Sequence, residues 1–210
     1  MECLLSSAYL APVQYYCKLY AARKVYEERC DNYIKQTYRN RCVIATANGA
    51  LALTIPVVRK GNNQPMRDVE ISNHGRWTDL HWNAIVSAYE QSPYFEYYAD
   101  DFRPFYEKPF RFLVDYNEAL QALVCDLLNI EIDIVHTTTY LKEARVGMQD
   151  YRTIISPKQT LDADLAFEPC PYYQVFSMRH GFLPNMSIID LLFNMGPEAR
   201  RILRDSQRQA

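Results

Sequence analysis

The sequence predicts an α/β fold, built as a single domain on a mixed sheet with flanking helices. Three observations support it: a strand–helix–strand pattern in the first 30 residues, two apolar runs joined by Asn-Gly, and a long amphipathic helix followed by a β-branched strand. The length of 210 residues fits one domain, and 49% hydrophobic against 23% charged residues predicts a sizeable core. We expect one domain over residues 1–210, with an irregular, mobile segment at about 142–170 that closes over a ligand.

The N-terminal βαβ unit begins with an apolar strand at 3–10. Pro12 suits the first turn of a helix, and the residues after it place an apolar stripe on one helix face: Val13, Tyr16, Cys17 and Tyr20. Residues 24–30 alternate in polarity and predict a second strand. Because a helix separates the two strands, we expect them to pair in parallel.

A β-hairpin is predicted at 41–57, where two β-rich apolar runs flank Asn48-Gly49. This dipeptide supplies the two positive-φ positions of a type I′ turn. Both arms are apolar on both faces, which predicts a hairpin buried inside the sheet. Other elements expected from periodicity are helices from about 78 to Ser92-Pro93 and over 110–129, strands at 132–141 and 172–176, and a helix–break–helix around Gly196-Pro197.

Composition and missing motifs exclude several classes of protein. The net charge of −2 argues against a general nucleic-acid binder. The sequence has no run of about 18 apolar residues, so we expect no membrane span. The N-terminus lacks a basic segment, and six cysteines without a CxxC pair predict buried, reduced thiols in a cytoplasmic protein. Without a P-loop, a GxGxxG or metal-type histidine spacing, we predict no cofactor and no metal.

The segment KQTYRNR at 35–41 carries Lys35, Arg39 and Arg41 directly before the hairpin. In an extended chain all three share a face, and in a helical turn Lys35 and Arg39 still do. One interpretation is a solvated face, or arginines paired with neighbouring carboxylates, namely those of Glu27, Glu28 or Asp31. The other, which we favour, is a site for a phosphate or carboxylate, because arginine binds both in a bidentate way.

Other polar residues would complete such a site. Asn40 and Tyr38 would orient the bound group by hydrogen bonds. Asp31 is the candidate general base by its proximity to the cations. A second carboxylate, Asp190, lies on an apolar helix face with Asn194 one turn later, and it is interpreted either as a cap partner or as a base with a shifted pKa.

An aromatic segment at 77–101 forms the second candidate cluster. Helix packing explains much of it, whereas the turn Ser92-Pro93-Tyr94-Phe95 is typical of a pocket wall. We take the substrate-contacting residues of this cluster to be Trp82, Tyr89, Ser92 and Tyr94.

Several of these segments together resemble the WbqC-like family. The resemblance covers most of the chain, and its specific parts are K-x-x-x-x-N-R (Lys35, Asn40, Arg41), the hairpin arm LTIPV, and AY-x-x-SP-aromatic from Ala88 to Tyr94. The early aromatic-x-x-Pro segment is retained, with Tyr9 and Pro12. Where many members have Gln-Pro before it, this chain has Ser7-Ala8, so ligand contacts made by that glutamine would differ here.

The resemblance implies a role near O-antigen and related surface glycans, with transfer of glycine or a similar acyl group to an amino sugar. We therefore expect a cytoplasmic transferase for a small, sugar-linked substrate that carries a phosphate or carboxylate. Its site would contain Tyr9 and the residues named above. A non-catalytic binding or scaffold protein of the same pathway, with a protein partner, is the alternative. Single-stranded nucleic-acid binding ranks below both, and no nucleic acid is expected as a partner.

Overall fold

A computed structural model describes residues 1–61 and 63–208, and residues 62, 209 and 210 of the predicted domain lie outside it. The predicted α/β class is confirmed. The strands are β1 Glu2–Ser6, β2 Lys24–Glu28, β3 Arg41–Thr46, β4 Gly49–Thr54, β5 Val57–Val58, β6 Glu70–Ile71, β7 Asp133–His136 and β8 Met148–Asp150. The helices are α1 Val13–Ala21, α2 Trp77–Tyr89, α3 Phe95–Phe102, α4 Pro104–Glu107, α5 Leu113–Leu127, α6 Ser177–His180, α7 Ile188–Met195 and α8 Ala199–Asp205.

The central sheet has four strands, all parallel, in the order β7-β2-β1-β8. The predicted βαβ unit is confirmed, since β1 and β2 pair in parallel and α1 connects them. All three inner residues of β1 are buried: Cys3, Leu4 and Leu5. Because side chains alternate along a strand, this pattern means that both faces of the sheet are covered at β1.

The hairpin is present, but it does not lie inside the central sheet as predicted. β3 and β4 form a two-stranded antiparallel sheet of their own, and β5 and β6 form another. Ile44 on β3 packs into the core, whereas most of β4 is exposed, including Leu51. The apolar residues of the hairpin therefore cover the core from one face, so the expected mixed sheet is a parallel sheet with separate antiparallel pairs.

The turn of the hairpin also differs from the prediction. Thr46 pairs with Gly49, so the two corner residues are Ala47 and Asn48. Gly49 has a φ of +96°, whereas Asn48 does not have a positive φ. A turn with its glycine at the last position matches type I geometry rather than the mirror-image type I′.

The irregular segment at 142–170 contains β8, which the sequence did not predict and which completes the sheet. The strand predicted at 172–176 is wrong, because these residues form an irregular stretch. The side chains of Tyr172 and Gln174 explain this difference: both donate hydrogen bonds to the Asp190 carboxylate, at 2.6 and 2.7 Å. These bonds fix the segment against α7 instead of in a β-ladder.

The hydrophobic core runs from the sheet through α1, α5 and α7 to the aromatic side chains of α2 and α4. All six cysteines are free thiols, and four of them are buried. Within residues 1–61 and 63–208, no helix has the length and apolar run that a membrane crossing requires.

Candidate functional site

The carboxyl ends of the parallel strands open into a cleft of about 490 Å³. Asp31 follows β2, Arg152 follows β8, and Arg39 reaches the same cleft from the turns before β3. Open α/β sheets bind their ligands at this edge, because strand ends and the loops after them converge there. The position of the cleft makes these residues the candidate site.

Arg39 and Asp31 form a buried ion pair in the wall of the cleft. The Arg39 Nη2 group donates to Asp31 Oδ2 and, at 3.0 Å, to Ser6 Oγ at the end of β1. Burial raises the pKa of Asp31 above its usual range, and the positive charge of Arg39 offsets part of this rise. A carboxylate with a raised pKa is a stronger base than an exposed aspartate.

Each member of this pair has one buried polar atom without a hydrogen-bond partner among the described residues. These atoms are Asp31 Oδ1 and Arg39 Nε. Buried polar groups are nearly always hydrogen-bonded, so such atoms call for an explanation. Asp31 Oδ1 and Arg39 Nε are therefore the hydrogen-bonding atoms of the pair that a bound ligand could still engage.

Arg152 links several residues around the cleft. Its guanidinium donates to the Asp150 carboxylate at 2.6 Å and to the Leu141 carbonyl at 2.6 Å, and it lies 3.5 Å from Glu28 Oε2. Glu28 is fully buried and also accepts the Leu141 amide at 2.9 Å. The loop around Leu141, which the sequence predicted to continue β7, is thereby held over the strand ends.

The three cations of KQTYRNR do not converge. Residues 35–40 form successive turns rather than a strand or a helix, Arg41 begins β3, and Gln36 has a φ of +58°. Arg39 turns inward to the cleft. The Lys35 side chain is exposed and outside the cleft lining, and Arg41 donates to Thr54 Oγ1 across the hairpin at 3.0 Å.

Tyr38 and Asn40 also separate from one another. Tyr38 lines a small pocket of about 20 Å³ beside the cleft, and its carbonyl accepts the Tyr9 amide at 2.9 Å. Asn40 is buried and donates to the Ile55 carbonyl at 2.7 Å, which anchors the start of the hairpin. Of these two residues, only Tyr38 borders the candidate site.

The predicted aromatic residues belong to the core rather than to the cleft. The Tyr9 hydroxyl is fully buried between the Tyr106 hydroxyl at 2.9 Å and His81 Nδ1 at 3.1 Å. Trp82 packs on Tyr106 with ring centroids 5.5 Å apart. Helix packing, the alternative interpretation of this cluster, describes these residues.

The turn after α2 is also built for packing. The Ser92 hydroxyl donates to the Tyr89 carbonyl at 2.6 Å, and Tyr89 itself is buried against Phe193. The Tyr94 ring lies against Gly196, where any Cβ would come within 2.5 Å of it. Only glycine fits at this position, and Gly196 also has a φ of +51°, which other residues rarely adopt.

Asp190 is neither a cap partner nor part of the cleft. Its carboxylate accepts hydrogen bonds from Tyr89, Tyr172 and Gln174, at 2.6 to 2.9 Å. Burial raises the pKa of Asp190 to about 6, and these donors limit the rise. The structure therefore makes it the centre of a buried polar network. Asn194, one turn later, donates to the Asp190 carbonyl at 2.7 Å.

In the part of the chain that the structure describes, no group of three or more His, Cys, Asp or Glu side chains is placed to hold a metal ion.

Comparison with known proteins identifies the family. The model of the WbqC-like protein family matches residues 7–202. The chain belongs to this family. A relative named "Uncharacterized protein Rv1507c" from Mycobacterium tuberculosis (strain ATCC 25618 / H37Rv) is 28% identical over 194 residues, covering 82% of this chain and 84% of the relative. No solved structure matches the chain.

Ser7-Ala8, which stands where the family resemblance predicts Gln-Pro, lies beside the candidate site. Ser7 follows β1, lines the small pocket and is fully buried. Its hydroxyl accepts a hydrogen bond from Asn117 Nδ2 at 3.1 Å, and the same amide donates to the Arg39 carbonyl at 2.8 Å. Asn117 thus positions the end of β1 and the Arg39 turn in this WbqC-like chain.

Sequence reasoning missed part of the cleft lining. Local patterns do not mark Tyr140, and they place Lys142, Asp150 and Arg152 only within the predicted closing segment at 142–170. Their signal was weak, because β8 has only three residues and β7 ends four residues before Tyr140. Parallel pairing of strands far apart in the chain brings them to Asp31, and no local spacing reveals that pairing.

Another buried carboxylate in this WbqC-like chain, that of Glu27, predicts a pH-dependent stability. Burial raises the pKa of Glu27 to about 7, although Arg29 Nε donates to it at 3.0 Å. Between pH 4.5 and 7 the folded state holds a proton that the unfolded state has lost. The contribution of Glu27 to the free energy of unfolding therefore falls as pH rises through this window, by up to about 3 kcal/mol.

Glu27→Gln is expected to remove this fall. Urea unfolding of both proteins at pH steps from 4.5 to 8 checks the expectation. The free energies of unfolding should diverge across the window, in favour of the variant as pH rises. Curves that stay parallel would show that Glu27 titrates near its ordinary value.

Proposed function

We propose that this chain is a transferase that joins an acyl group, such as glycyl, to the amine of a nucleotide- or lipid-linked amino sugar in surface-polysaccharide assembly. One observation carries the proposal: the buried Asp31–Arg39 pair lines a 490 Å³ cleft at the carboxyl edge of the sheet, and each partner has an uncommitted polar atom. Membership of the WbqC-like family supports the substrate class by resemblance.

Asp31 is the proposed general base of the reaction. The sugar amine attacks the carbonyl carbon of an activated acyl donor, such as a thioester or an acyl phosphate. The new C–N bond forms, the bond to the leaving group breaks, and the amine proton passes to Asp31. The raised pKa of Asp31 suits this step, because a stronger base takes the proton more readily.

Arg39 is the proposed anchor for the anionic part of the substrate. Its Nη2 group is committed to Asp31 and Ser6, whereas Nε has no partner among the described residues. The bonds to Asp31 and Ser6 hold the Arg39 guanidinium in one orientation, so less side-chain freedom is lost when it binds a phosphate or carboxylate.

Arg39→Met and Arg41→Met form a matched pair that tests the anchor. Transfer is measured by mass spectrometry of products from a panel of amino sugars and activated acyl donors. Loss of the Arg39 guanidinium is expected to raise KM at least tenfold, which corresponds to the loss of a single hydrogen bond to a charged group. Arg41→Met should match the parent, since Arg41 contacts Thr54 on the hairpin.

Two further measurements complete the test. Arg39→Lys keeps the charge without the planar fork, so it covers the case in which Arg39→Met does not fold. Equal KM values in all four proteins would contradict the anchor. Saturable ligand binding without any product would favour the alternative of a non-catalytic binding protein.

A further inference from the structure

The order of the parallel strands carries an inference about the ligand. In chain order the strands of the sheet are β1, β2, β7 and β8, so the order across the sheet is third, second, first, fourth. Doubly wound nucleotide-binding folds have the same order in their central strands. In them the ligand binds outside the carboxyl ends, at the point where the strand order reverses.

That point lies between β1 and β8 in this chain. β2, which follows β1 through α1, lies on one side of β1, and β8 lies on the other side. The chain reaches β8 from β7, at the far edge of the sheet, by crossing past β2 and β1. The small pocket occupies this position. Its lining includes Ser7 after β1 and Tyr151 after β8.

The small pocket and the large cleft are contiguous, because Arg39 and Arg152 line both. The small pocket, at about 20 Å³, has room for a group of the size of a water molecule. The cleft, at about 490 Å³, has room for a nucleoside with its phosphates.

The cleft lining matches the two chemically distinct parts of a nucleotide. Lys142 joins the two arginines there. Arg39 is paired with Asp31, and Arg152 with Asp150 and Glu28, so among the described residues Lys142 is the cation of this lining that no ion pair engages. The Tyr140 ring is 55% exposed, and the Arg152 guanidinium lies 5.8 Å from the ring centroid. An exposed tyrosine beside fixed cations is the arrangement that stacks a base and holds its phosphate.

We propose that the cleft binds a nucleoside di- or triphosphate, with the base on Tyr140 and the phosphates at Arg39, Lys142 and Arg152. Side chains here do the work that a glycine-rich loop does elsewhere, in keeping with the absence of such a loop from the sequence. The proposal rests on the transferase function above and narrows its substrate. Two sources share this chemistry: the nucleotide of a sugar nucleotide, or ATP that activates the acyl donor.

Calorimetric titration with the full-length protein tests this site, in Mg²⁺-containing buffer at about 0.15 M salt. The probes are UDP, GDP, dTDP, ADP and ATP, with pyrophosphate as the probe that lacks a base. We expect at least one nucleotide to bind at least tenfold more tightly than pyrophosphate. Tyr140→Ala should weaken its binding about tenfold or more, and Tyr140→Phe should keep it, because stacking needs only the ring.

Tyr173→Ala is the matched control, since Tyr173 is 53% exposed and lies outside the cleft lining. Lys142→Ala should reduce both the affinity and its salt dependence. Binding of ADP and ATP alone assigns the nucleotide to acyl activation, whereas binding of UDP, GDP or dTDP alone assigns it to the sugar substrate.

Three results would overturn the inference: no nucleotide binds, pyrophosphate binds as tightly as every nucleotide, or Tyr140→Ala binds like the Tyr173→Ala control. Different results would contradict the nucleotide site and the transferase function. Transfer to a lipid-linked acceptor without nucleotide binding leaves the transferase standing. Nucleotide binding without transfer from any donor leaves the nucleotide site standing.

Discussion

Asp31→Asn is expected to slow acyl transfer by about 10²- to 10⁴-fold, the usual loss when a general base is removed. Asparagine keeps the size of the side chain and can still accept a hydrogen bond from Arg39. It cannot take a proton from the attacking amine. The variant should therefore fold and bind substrate, so the loss should appear in kcat rather than in KM.

The pH profile separates this role from a structural one. In the parent, transfer should rise with pH through the raised pKa of Asp31, and this limb should be absent from the residual activity of Asp31→Asn. Asp101→Asn, an exposed aspartate on α3, is the control and should behave as the parent. A kcat for Asp31→Asn within about threefold of the parent's would exclude Asp31 as the base.

Lys18→Met is expected to destabilise the fold by about 3–5 kcal/mol. Lys18 Nζ lies 2.7 Å from Asp164 Oδ2, and both side chains are 2% exposed. Loss of the ammonium leaves the Asp164 carboxylate buried without its cation, although Gln14 still donates to it at 2.9 Å. Lys18 also lies over the Tyr151 ring, which follows β8 at the candidate site.

A double variant shows whether the unpaired charge is the cause. Lys18→Met/Asp164→Asn carries no buried charge at this position, and the asparagine can still accept the Gln14 bond. Urea unfolding at pH 7 should find the double variant more stable than Lys18→Met alone. A Lys18→Met protein within about 1 kcal/mol of the parent would contradict the account of this pair.

Local sequence patterns predicted the elements whose packing is local. The βαβ unit is predictable because Pro12 starts a helix between an apolar run and a segment that alternates in polarity, and such a connection favours parallel pairing. The helix over 110–129 is readable because its apolar stripe recurs through four turns; the structure has α5 at Leu113–Leu127. The position of the hairpin cannot be predicted from its sequence, because apolar side chains can be buried against helices as well as inside a sheet.

The candidate site was predictable only in part. Asp31 and Arg39 are eight residues apart, and their pairing was one of two interpretations that the sequence left open. Tyr140 and Arg152 reach the same cleft through β7 and β8, which are short and which pair with strands more than 100 residues away in the chain. The aromatic residues at 77–101 predicted a pocket wall, but several aromatic side chains of α2 and α3 pack against Phe193 in the core instead.

Amide hydrogen exchange can show whether ligands bind at the carboxyl edge of the parallel sheet. A thermal-shift screen of nucleotides, sugar nucleotides, amino acids and phosphate first finds a ligand that stabilises the protein. Exchange is then compared with and without that ligand. We expect slower exchange at residues 6–8, 30–39 and 140–153. Slower exchange confined to residues 70–75 and 105–111, which line two other pockets, would contradict binding at the sheet edge.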